Sequence, residues 1–309
     1  MKVYLVTGGA GFIGSNLVEH LCKTNKVIVI DDLSSGFESN LPDSDNLRFI
    51  NTDLVNFDLY SIKEQINGVI HLAAQASVPL SIEQFKNSSN INLLGMTNIM
   101  DFCVNKSLPF VYASSSAIYG NLSLGDDEVE SNDILSPYAC DKHVMEEYSK
   151  MCFDTYNLSS LGLRFFNVYG PKQDPSNPYS GVISIFAEQI INKRGITING
   201  GYQTRDFIYI DDVVLCIISA LKKVSEEKIC DQINILTGKS FSIDFLAEEI
   251  SRITGNKVEI NYEDLEKSDP EKSQGTIEKL EQVLNISINT FTDFSSGLEK
   301  TIKFIKNNI

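Results

Sequence analysis

The run Val3-Tyr4-Leu5-Val6-Thr7 followed by Gly8-Gly9-Ala10-Gly11-Phe12-Ile13-Gly14 constrains this chain more than any other feature. An apolar strand, a glycine loop and a helix in that order leave few folds open. Glycines at 8, 11 and 14 permit a tight turn, close backbone approach to a pyrophosphate and close helix–strand packing, with the phosphates meeting the helix N-terminus. In isolation such a pattern is often a plain glycine turn. Here an acid stands where a ribose needs one: Asp31 ends the second apolar run, 17 residues beyond Gly14. A carboxylate there accepts hydrogen bonds from ribose hydroxyls and repels a 2′-phosphate. Asp32 is acidic too, and no basic residue follows before Arg48, so NAD is expected rather than NADP. Asp53, at the end of the third strand, either reaches the adenine or caps the following turn.

Apolar runs and amphipathic stretches alternate from there on. Strands are predicted at 2–7, 26–31, 47–52, 68–73, 109–114 and 160–167, and helices near 12–23, 58–66, 89–106 and 137–156. Several strands are near-continuous apolar runs, as expected when both faces are buried. The fold class is therefore α/β, a Rossmann-type doubly wound parallel sheet with a smaller C-terminal substrate domain. The helix at 137–156 opens on Ser136 as N-cap and Pro137 at its first position. After Asn167-Val168-Tyr169-Gly170 the texture changes, and 171–181 reads as a loop over a site. A helix near 182–193, a strand at 196–199, a Gly200-Gly201 turn, a helix from Asp211 and a strand at 232–236 follow. The expected division is a nucleotide-binding domain over 1–170, with 211–237 returning to it, and a substrate domain from 171–210 and 238–309.

Composition narrows the function. At 309 residues with 42% hydrophobic and 22% charged content the chain is ordinary for a globular protein. A net charge of −15 argues against a nucleic-acid partner, and means that an anionic substrate must be met by a local cation. No apolar run reaches membrane-spanning length, and no signal peptide precedes the first strand. Six scattered cysteines form neither a zinc spacing nor a disulfide framework and suit a reduced cytoplasm. Three distant histidines offer no metal cluster, so no metal is expected. His71, at a strand end, reads as a packing residue.

Tyr138 and Lys142, four residues apart, share one helix face. An ammonium beside a phenol favours the phenolate, bringing a group of unperturbed pKa near 10 toward a usable base. Upstream, Ser114-Ser115-Ser116 closes an apolar run, and its hydroxyls can hydrogen-bond the oxygen that the tyrosine deprotonates. With the dinucleotide fingerprint, the arrangement points to hydride chemistry.

The motifs TGGAGFIG (7–14), DDLSSG (31–36), HLAAQASV (71–78), SSSAIYG (114–120), YACDK (138–142), RFFNVYGPKQDP (164–175) and TRDFIYIDD (204–212) together resemble the extended short-chain dehydrogenase/reductases. Within that class they are most similar to the nucleotide-sugar 4-epimerases acting on UDP-hexoses and UDP-N-acetylhexosamines. The resemblance implies Tyr138 as base, Lys142 as the residue holding the nicotinamide ribose, and Ser115 as catalytic serine with Ser116 beside it. It implies NAD contacts from Gly8, Gly11, Phe12, Ile13, Gly14, Asp31, Asp32, Ser35 and Gly36. Further contacts are implied from Asp53, Leu54, Leu72, Ala73, Ala74, Asn92, Phe165 and Val168, besides Tyr138 and Lys142. Substrate contacts are implied for Ser77, Ser115, Asn167, Gly181, Val182, Arg205 and Ser273, with Arg205 pairing a phosphate as a planar guanidinium can.

The implied reaction oxidises the sugar at C4 and returns the hydride to the other face. Dehydratases of this class carry an Asp and a Glu after the catalytic serine or threonine. Ser116 and Ala117 supply neither acid nor base, which disfavours that rival. An NAD(P)H-consuming reductase and a non-catalytic NAD-binding sensor are the remaining alternatives. In the substrate region, Ser273 falls at the gatekeeper position, where a bulky Tyr would exclude an N-acetyl group. UDP-GlcNAc/UDP-GalNAc is thus favoured over UDP-glucose/UDP-galactose. Two positions depart from the family: Glu266 stands for an arginine, with Lys267 beside it, and Gly275-Thr276 stands for Ala-Asp. A homodimer through the helices near 89–106 and 137–156 is also implied, with Leu93, Met100, Val144, Met145 and Met151 either at that face or in the core.

Overall fold

A computed structural model of the chain describes residues 1–265 and 269–308. The apolar runs build one sheet and the glycine loops turn the chain into the helices that cover it. In chain order, β1 (Val3–Thr7) leads into α1 (Phe12–Leu21), then β2 (Lys26–Asp31), β3 (Leu47–Asn51) and β4 (Gly68–His71). Two short helices, α2 (Val78–Glu83) and α3 (Phe85–Ser89), precede a π-helical turn at Asn90–Leu94 and α4 (Gly95–Lys106). Next come β5 (Phe110–Ser115), α5 (Pro137–Tyr156), β6 (Ser160–Phe165), β7 (Asn167–Tyr169), α6 (Val182–Ile191), β8 (Ile196–Asn199) and β9 (Thr204–Tyr209). The remainder is α7 (Ile210–Glu226), β10 (Cys230–Ile235), β11 (Ser240–Ser242), α8 (Ile243–Thr254), β12 (Ile260–Glu263), β13 (Lys272–Ser273), α9 (Glu278–Leu284) and α10 (Phe294–Asn308).

Seven strands form one parallel sheet in the order β10-β6-β5-β4-β1-β2-β3. The chain reverses direction across the sheet at β1, between β2 and β4. That reversal opens a crevice beyond the carboxyl ends of the strands, where ligands of doubly wound folds bind. One face of the sheet is covered by a core through Leu17, Val18, Val213 and Ile217, the other by Met96, Ile99, Phe102 and Met145, all fully or nearly fully buried. Truncating one such side chain, as in Ile217→Ala, costs about 2–5 kcal/mol.

A second, smaller sheet pairs β9 with β7, β11 and β13, and β8 pairs β12. The predicted strand 160–167 is thus two strands. Phe166 interrupts it, and the chain passes from the large sheet to the small one at the mouth of the crevice. Strand β10 sits at the edge of the large sheet beside β6.

Helix α5 starts as its sequence dictates: the Ser136 side chain accepts from Ala139 N and Pro137 occupies the first turn. It ends on Asn157 in the left-handed conformation. The predicted helix at 58–66 is absent, with only a single 3₁₀ turn at Leu59–Ser61 capped by Asp58. The apolar period there is real, but Leu59, Ile62 and Ile66 plug the core from an irregular segment that spans directly to β4. The 89–106 helix is present and continuous from Phe85, with one π-turn at Asn90–Leu94 that carries the fully buried Asn92.

Candidate active site

A cavity of about 730 Å³ follows the crevice from the glycine loop, past the ends of β4 and β5, to the small sheet. Its first wall is the β1–α1 loop. Gly8 has φ 70°, and a Cβ there would lie 2.5 Å from Ala73 N; one on Gly14 would lie 2.0 Å from Gly8 O; one on Gly36 would lie 2.6 Å from the Ala10 backbone. These three glycines answer to internal packing. Gly11 does not: its φ is −73° and the nearest atom to an added Cβ is Gly8 O at 3.4 Å. Nothing inside the protein demands a glycine at this N-cap, which lines the cavity. The demand is met if a ligand's backbone-hugging group occupies that space. Phe12 and Ile13 line the same wall, and their N–H groups precede the first intrahelical bond, Ser15 N to Gly11 O at 2.9 Å. Free amides at a positive helix end suit a pyrophosphate, so the residues fit NAD.

Asp31 is buried behind this loop. Its Oδ2 accepts from Ala10 N at 2.9 Å and its Oδ1 from Leu33 N at 2.8 Å, so each oxygen retains a lone pair for a further donor. Burial raises its pKa, against the pull of those N–H groups. Ser35, Leu72, Ala74, Phe165 and Val168 line the cavity. Ala73 meets the glycine loop through its backbone instead.

Other expected cofactor contacts do not line the cavity. Asp32 is exposed and accepts from Ser34 N, and Asp53 is exposed and accepts from Val55 N and the Asn56 side chain. Both cap turns. Leu54 is core, against Gly95. Asn92, fully buried, donates to Gln75 O and to Asp141 Oδ2 and accepts from Gln75 N. It ties the loop after β4 to α5, and so acts on the cavity through that loop.

The residues expected to be catalytic stand at the end of β5 and on α5. Ser115 and Ser116 line the cavity, and the Ser115 hydroxyl accepts from Ala117 N at 3.1 Å. Tyr138 lies in the first turn of α5, where its N–H donates to Ser81 Oγ at 3.2 Å and docks α2 against the site. Lys142 Nζ sits 5.6 Å from the Tyr138 ring centre and donates to Ala113 O at 2.8 Å. Burial raises the Tyr138 pKa, opposed only by the Ser115 hydroxyl, so without cofactor the phenol keeps its proton. Lys142 bears the cost of desolvation as well: burial brings it down to about 8, against the pull of Asp141 and Glu146. His71 is the packing residue expected, bonded to Thr7 Oγ1 at 2.7 Å and held neutral by burial with a pKa of about 3.

At the far end, Asn167 lines the cavity and donates to Asp206 O at 3.3 Å. Arg205, nearly buried, pairs with Asp269, and Ser273 lies opposite it in the β9–β13 register. Gly181 lines the cavity as the N-cap of α6, whereas Val182 begins that helix outside the lining. Ser77 caps α2, accepting from Leu80 N. Glu266 and Lys267 lie outside the described residues.

Several lining residues escaped sequence reasoning. Lys172 stands in the 171–181 loop and reaches Glu19 Oε2 at 2.6 Å and Asn40 O at 3.0 Å, strapping that loop to α1. Its place after Gly170-Pro171 was a signal, since a turn there aims the next side chain back across the cleft. Asn199, Tyr179 and Lys272 also line the cavity; Tyr179 falls in the loop expected over the site and Lys272 beside Ser273, whereas nothing in its local sequence marks Asn199.

Residues 4–235 match the NAD dependent epimerase/dehydratase family. The chain belongs to that family. Within it the chain is a nucleotide-sugar 4-epimerase of the extended short-chain dehydrogenase/reductase type, an isomerase whose cofactor is NAD. A putative UDP-glucose 4-epimerase of Methanocaldococcus jannaschii is 36% identical over 98% of both chains. A UDP-glucuronate 4-epimerase of Thermodesulfobacterium geofontis is 34% identical over 100% of this chain and 98% of its own. Among solved structures, the UDP-N-acetylglucosamine 4-epimerase of Methanobrevibacter ruminantium M1, in complex with UDP-N-acetylmuramic acid, superposes with a TM-score of 0.93 at 35% identity, covering 100% of this chain and 99% of the other. The epimerase family thus accommodates at least three different sugars on close relatives of this fold.

Proposed function

We propose that this epimerase interconverts UDP-GlcNAc and UDP-GalNAc, with Tyr138 as the base. The observation that carries the sugar assignment is Ser273, a small side chain lining the cavity directly across the strand pair from Arg205. A serine there leaves room for an N-acetyl group beside the diphosphate cation. Arg205 holds the diphosphate, and Asp269 shares that guanidinium until substrate arrives. Asn167 contacts the sugar diphosphate from the start of β7, where the chain enters the small sheet.

Ser115 and Tyr138 hold the sugar O4 between them, and the O4 proton passes to Tyr138. NAD, held by the α1 amides and Asp31, would supply the acceptor and donor for the C4 hydride, and its positive charge would favour ionisation of the buried Tyr138 phenol. The 4-keto sugar turns over inside the cavity, Tyr138 returns the proton, and C4 emerges inverted. Lys142 orients the nicotinamide ribose. Such a cycle requires that the ketone never leaves.

A homodimer accords with exposed Tyr148, Met151 and Tyr156 on α5 and exposed Leu94 just ahead of α4. Of the five apolar positions considered from sequence, Met100 and Met145 are core. Six free cysteines accord with a reduced, cytoplasmic setting, and polysaccharide precursor supply is the role such a product suits. The test of the activity is incubation of purified protein with UDP-GlcNAc, UDP-glucose or UDP-glucuronate, with C4 configuration followed by proton NMR. Conversion of UDP-GlcNAc fastest, without net NADH, is the expected outcome. Faster turnover of the uronate would replace the sugar assignment and turn attention to Lys272 as partner of its carboxylate.

A further inference from the structure

Directly behind the cleft lies an ion pair that the reaction as written does not use. Glu146 and Arg164 have side chains only 4% and 10% exposed. Arg164 Nε and Nη2 donate to the two Glu146 oxygens at 2.8 and 2.7 Å, a bidentate pairing, and Ser114 Oγ donates to Oε1 at 2.5 Å. The remaining Arg164 nitrogen, Nη1, donates to Tyr119 OH at 2.7 Å, and that hydroxyl donates to Asn234 Oδ1 at 2.8 Å. Asn234 Nδ2 then donates to Gly125 O at 3.0 Å, and Gly125 N donates to Gln274 O, next to Ser273.

A buried ion pair is poor evidence for stability, because well-packed apolar side chains of similar volume do as well or better. What this network does is join parts of the site that the fold leaves independent. Glu146 is one turn beyond Lys142 and two beyond Tyr138 on the same face of α5. Ser114 and Tyr119 bracket Ser115 and Ser116 in sequence, and neighbouring strand residues alternate sides, so holding Ser114 from behind aims Ser115 forward. We infer that the Glu146–Arg164 pair is a positioning device for the epimerase reaction, fixing the serine segment 114–119 against the helix that carries Tyr138 and Lys142. The inference rests on the reading of those three residues as the catalytic groups.

The pair also has an electrostatic arm. The charged and titratable groups facing Lys142 are Asp141, Glu146, Tyr138 and His71; those facing Glu146 are Arg164, Tyr119 and Tyr112. Asp141 and Glu146 oppose the desolvation that brings Lys142 down, and Asp141 is already engaged by Ser89 and Asn92. Neutralising Glu146 leaves Lys142 with less support for its proton. Its loss of charge then begins at lower pH.

The NAD-loaded enzyme and its Glu146→Gln, Ser114→Ala and Tyr119→Phe variants would be compared for kcat, KM, bound NAD and pH–rate profile. A misplaced reacting group costs up to about 10²-fold, so Glu146→Gln is expected to lower kcat by about that factor with KM and NAD content unchanged. Its alkaline limb moves to lower pH. Ser114→Ala removes one hydrogen bond from the network and Tyr119→Phe two, and each lowers kcat about fivefold to tenfold. A Glu146→Gln protein with kcat within twofold of wild type and an unmoved alkaline limb would overturn the proposal. If that variant does not fold, wild-type kcat in both hydroxyl variants overturns it instead. A ¹³C-tyrosine NMR titration, with Tyr138→Phe assigning the signal, reads the arrangement without any substrate. Glu146→Gln should move the pH at which Tyr138 ionises, because the phenol is no longer held in the same surroundings, and an unchanged titration counts against the pair. A wild type that epimerises no UDP-sugar would sink the functional reading while this titration still settles the role of Glu146.

Discussion

The two ends of the cavity are built by different means. At the cofactor end the wall is backbone. Gly8, Gly14 and Gly36 pack against main-chain atoms at separations that admit no Cβ, and α1 offers its free amides. At the substrate end the wall is side chains from β9, β13 and the loops at 171–181 and 269–276. Backbone walls tolerate almost no substitution, so they leave a spaced motif in any sequence. Side-chain walls can be rebuilt residue by residue. The same family scaffold therefore accepts one cofactor and several sugars, and this chain is easier to read at its front than at its back.

Tyr138 stands where the two ends meet, and removing its hydroxyl separates them most sharply. Tyr138→Phe is expected to cut kcat by about 10³-fold, the scale of a lost general base, with NAD content of the purified protein unchanged. Near-wild-type turnover would show that the base lies elsewhere. Next in size is Gly11→Val. Because the nearest internal atom is 3.4 Å from a Cβ at this position, the cofactor-free protein should melt within a degree or two of wild type. The added branch fills space beside the α1 amides, however. Loss of the charge-assisted hydrogen bonds there, worth about 1.5–3 kcal/mol, weakens NAD binding roughly 10–100-fold. Tight NAD binding in this variant would mean that the pyrophosphate does not approach Gly11.

Much of the front end was legible for the reasons just given. The strands of the large sheet are buried on both faces and leave unbroken apolar runs, and α5 announces its start through Ser136 and Pro137. What escaped shares a different cause. The 58–66 period was correct about which residues are buried, but a period cannot distinguish a helix from an irregular segment pinned at the same three points. Asn92 looked like a ligand-facing polar residue. Only the π-turn reveals that it points inward to Asp141. Glu146 follows Lys142 at helical spacing, yet its partner Arg164 is 18 residues away on another strand, and no local pattern pairs them. The spacing of Tyr138 and Lys142 places them on one face but says nothing about how dry the pair is, and burial acts on both.

That dryness gives a smaller effect, seen at the cofactor end alone. With Lys142 at about 8 in the cofactor-free protein, it is charged below that pH and neutral above it. The charged form is the better partner for ribose oxygens, so NAD affinity should fall as pH rises, by about tenfold between pH 7 and 9. By linkage, binding near pH 8 takes up a proton, and calorimetry in buffers of different ionisation enthalpy would measure it. Affinity that stays flat across this range would mean that Lys142 keeps its charge throughout.

The smallest effect tests the side-chain wall. Ser273 lies opposite Arg205 and its main-chain O accepts from Ser240 Oγ at 3.5 Å, so its backbone is held by neighbours and a larger side chain must extend into the cavity. Ser273→Tyr should leave NAD binding and the melting temperature unchanged, because the backbone wall is remote from it. The phenol would occupy the volume assigned to an N-acetyl group, and a pocket contact of that kind discriminates by only about 1–3 kcal/mol. The expected result is a fall of about tenfold or more in kcat/KM for UDP-GlcNAc with UDP-glucose nearly unaffected. Equal losses on both sugars would mean that β13 contacts the part they share, the diphosphate. In that case Lys272, one residue earlier in the same strand and on the cavity wall, becomes the partner of Arg205. The gatekeeper would then lie on another of the loops that close this end.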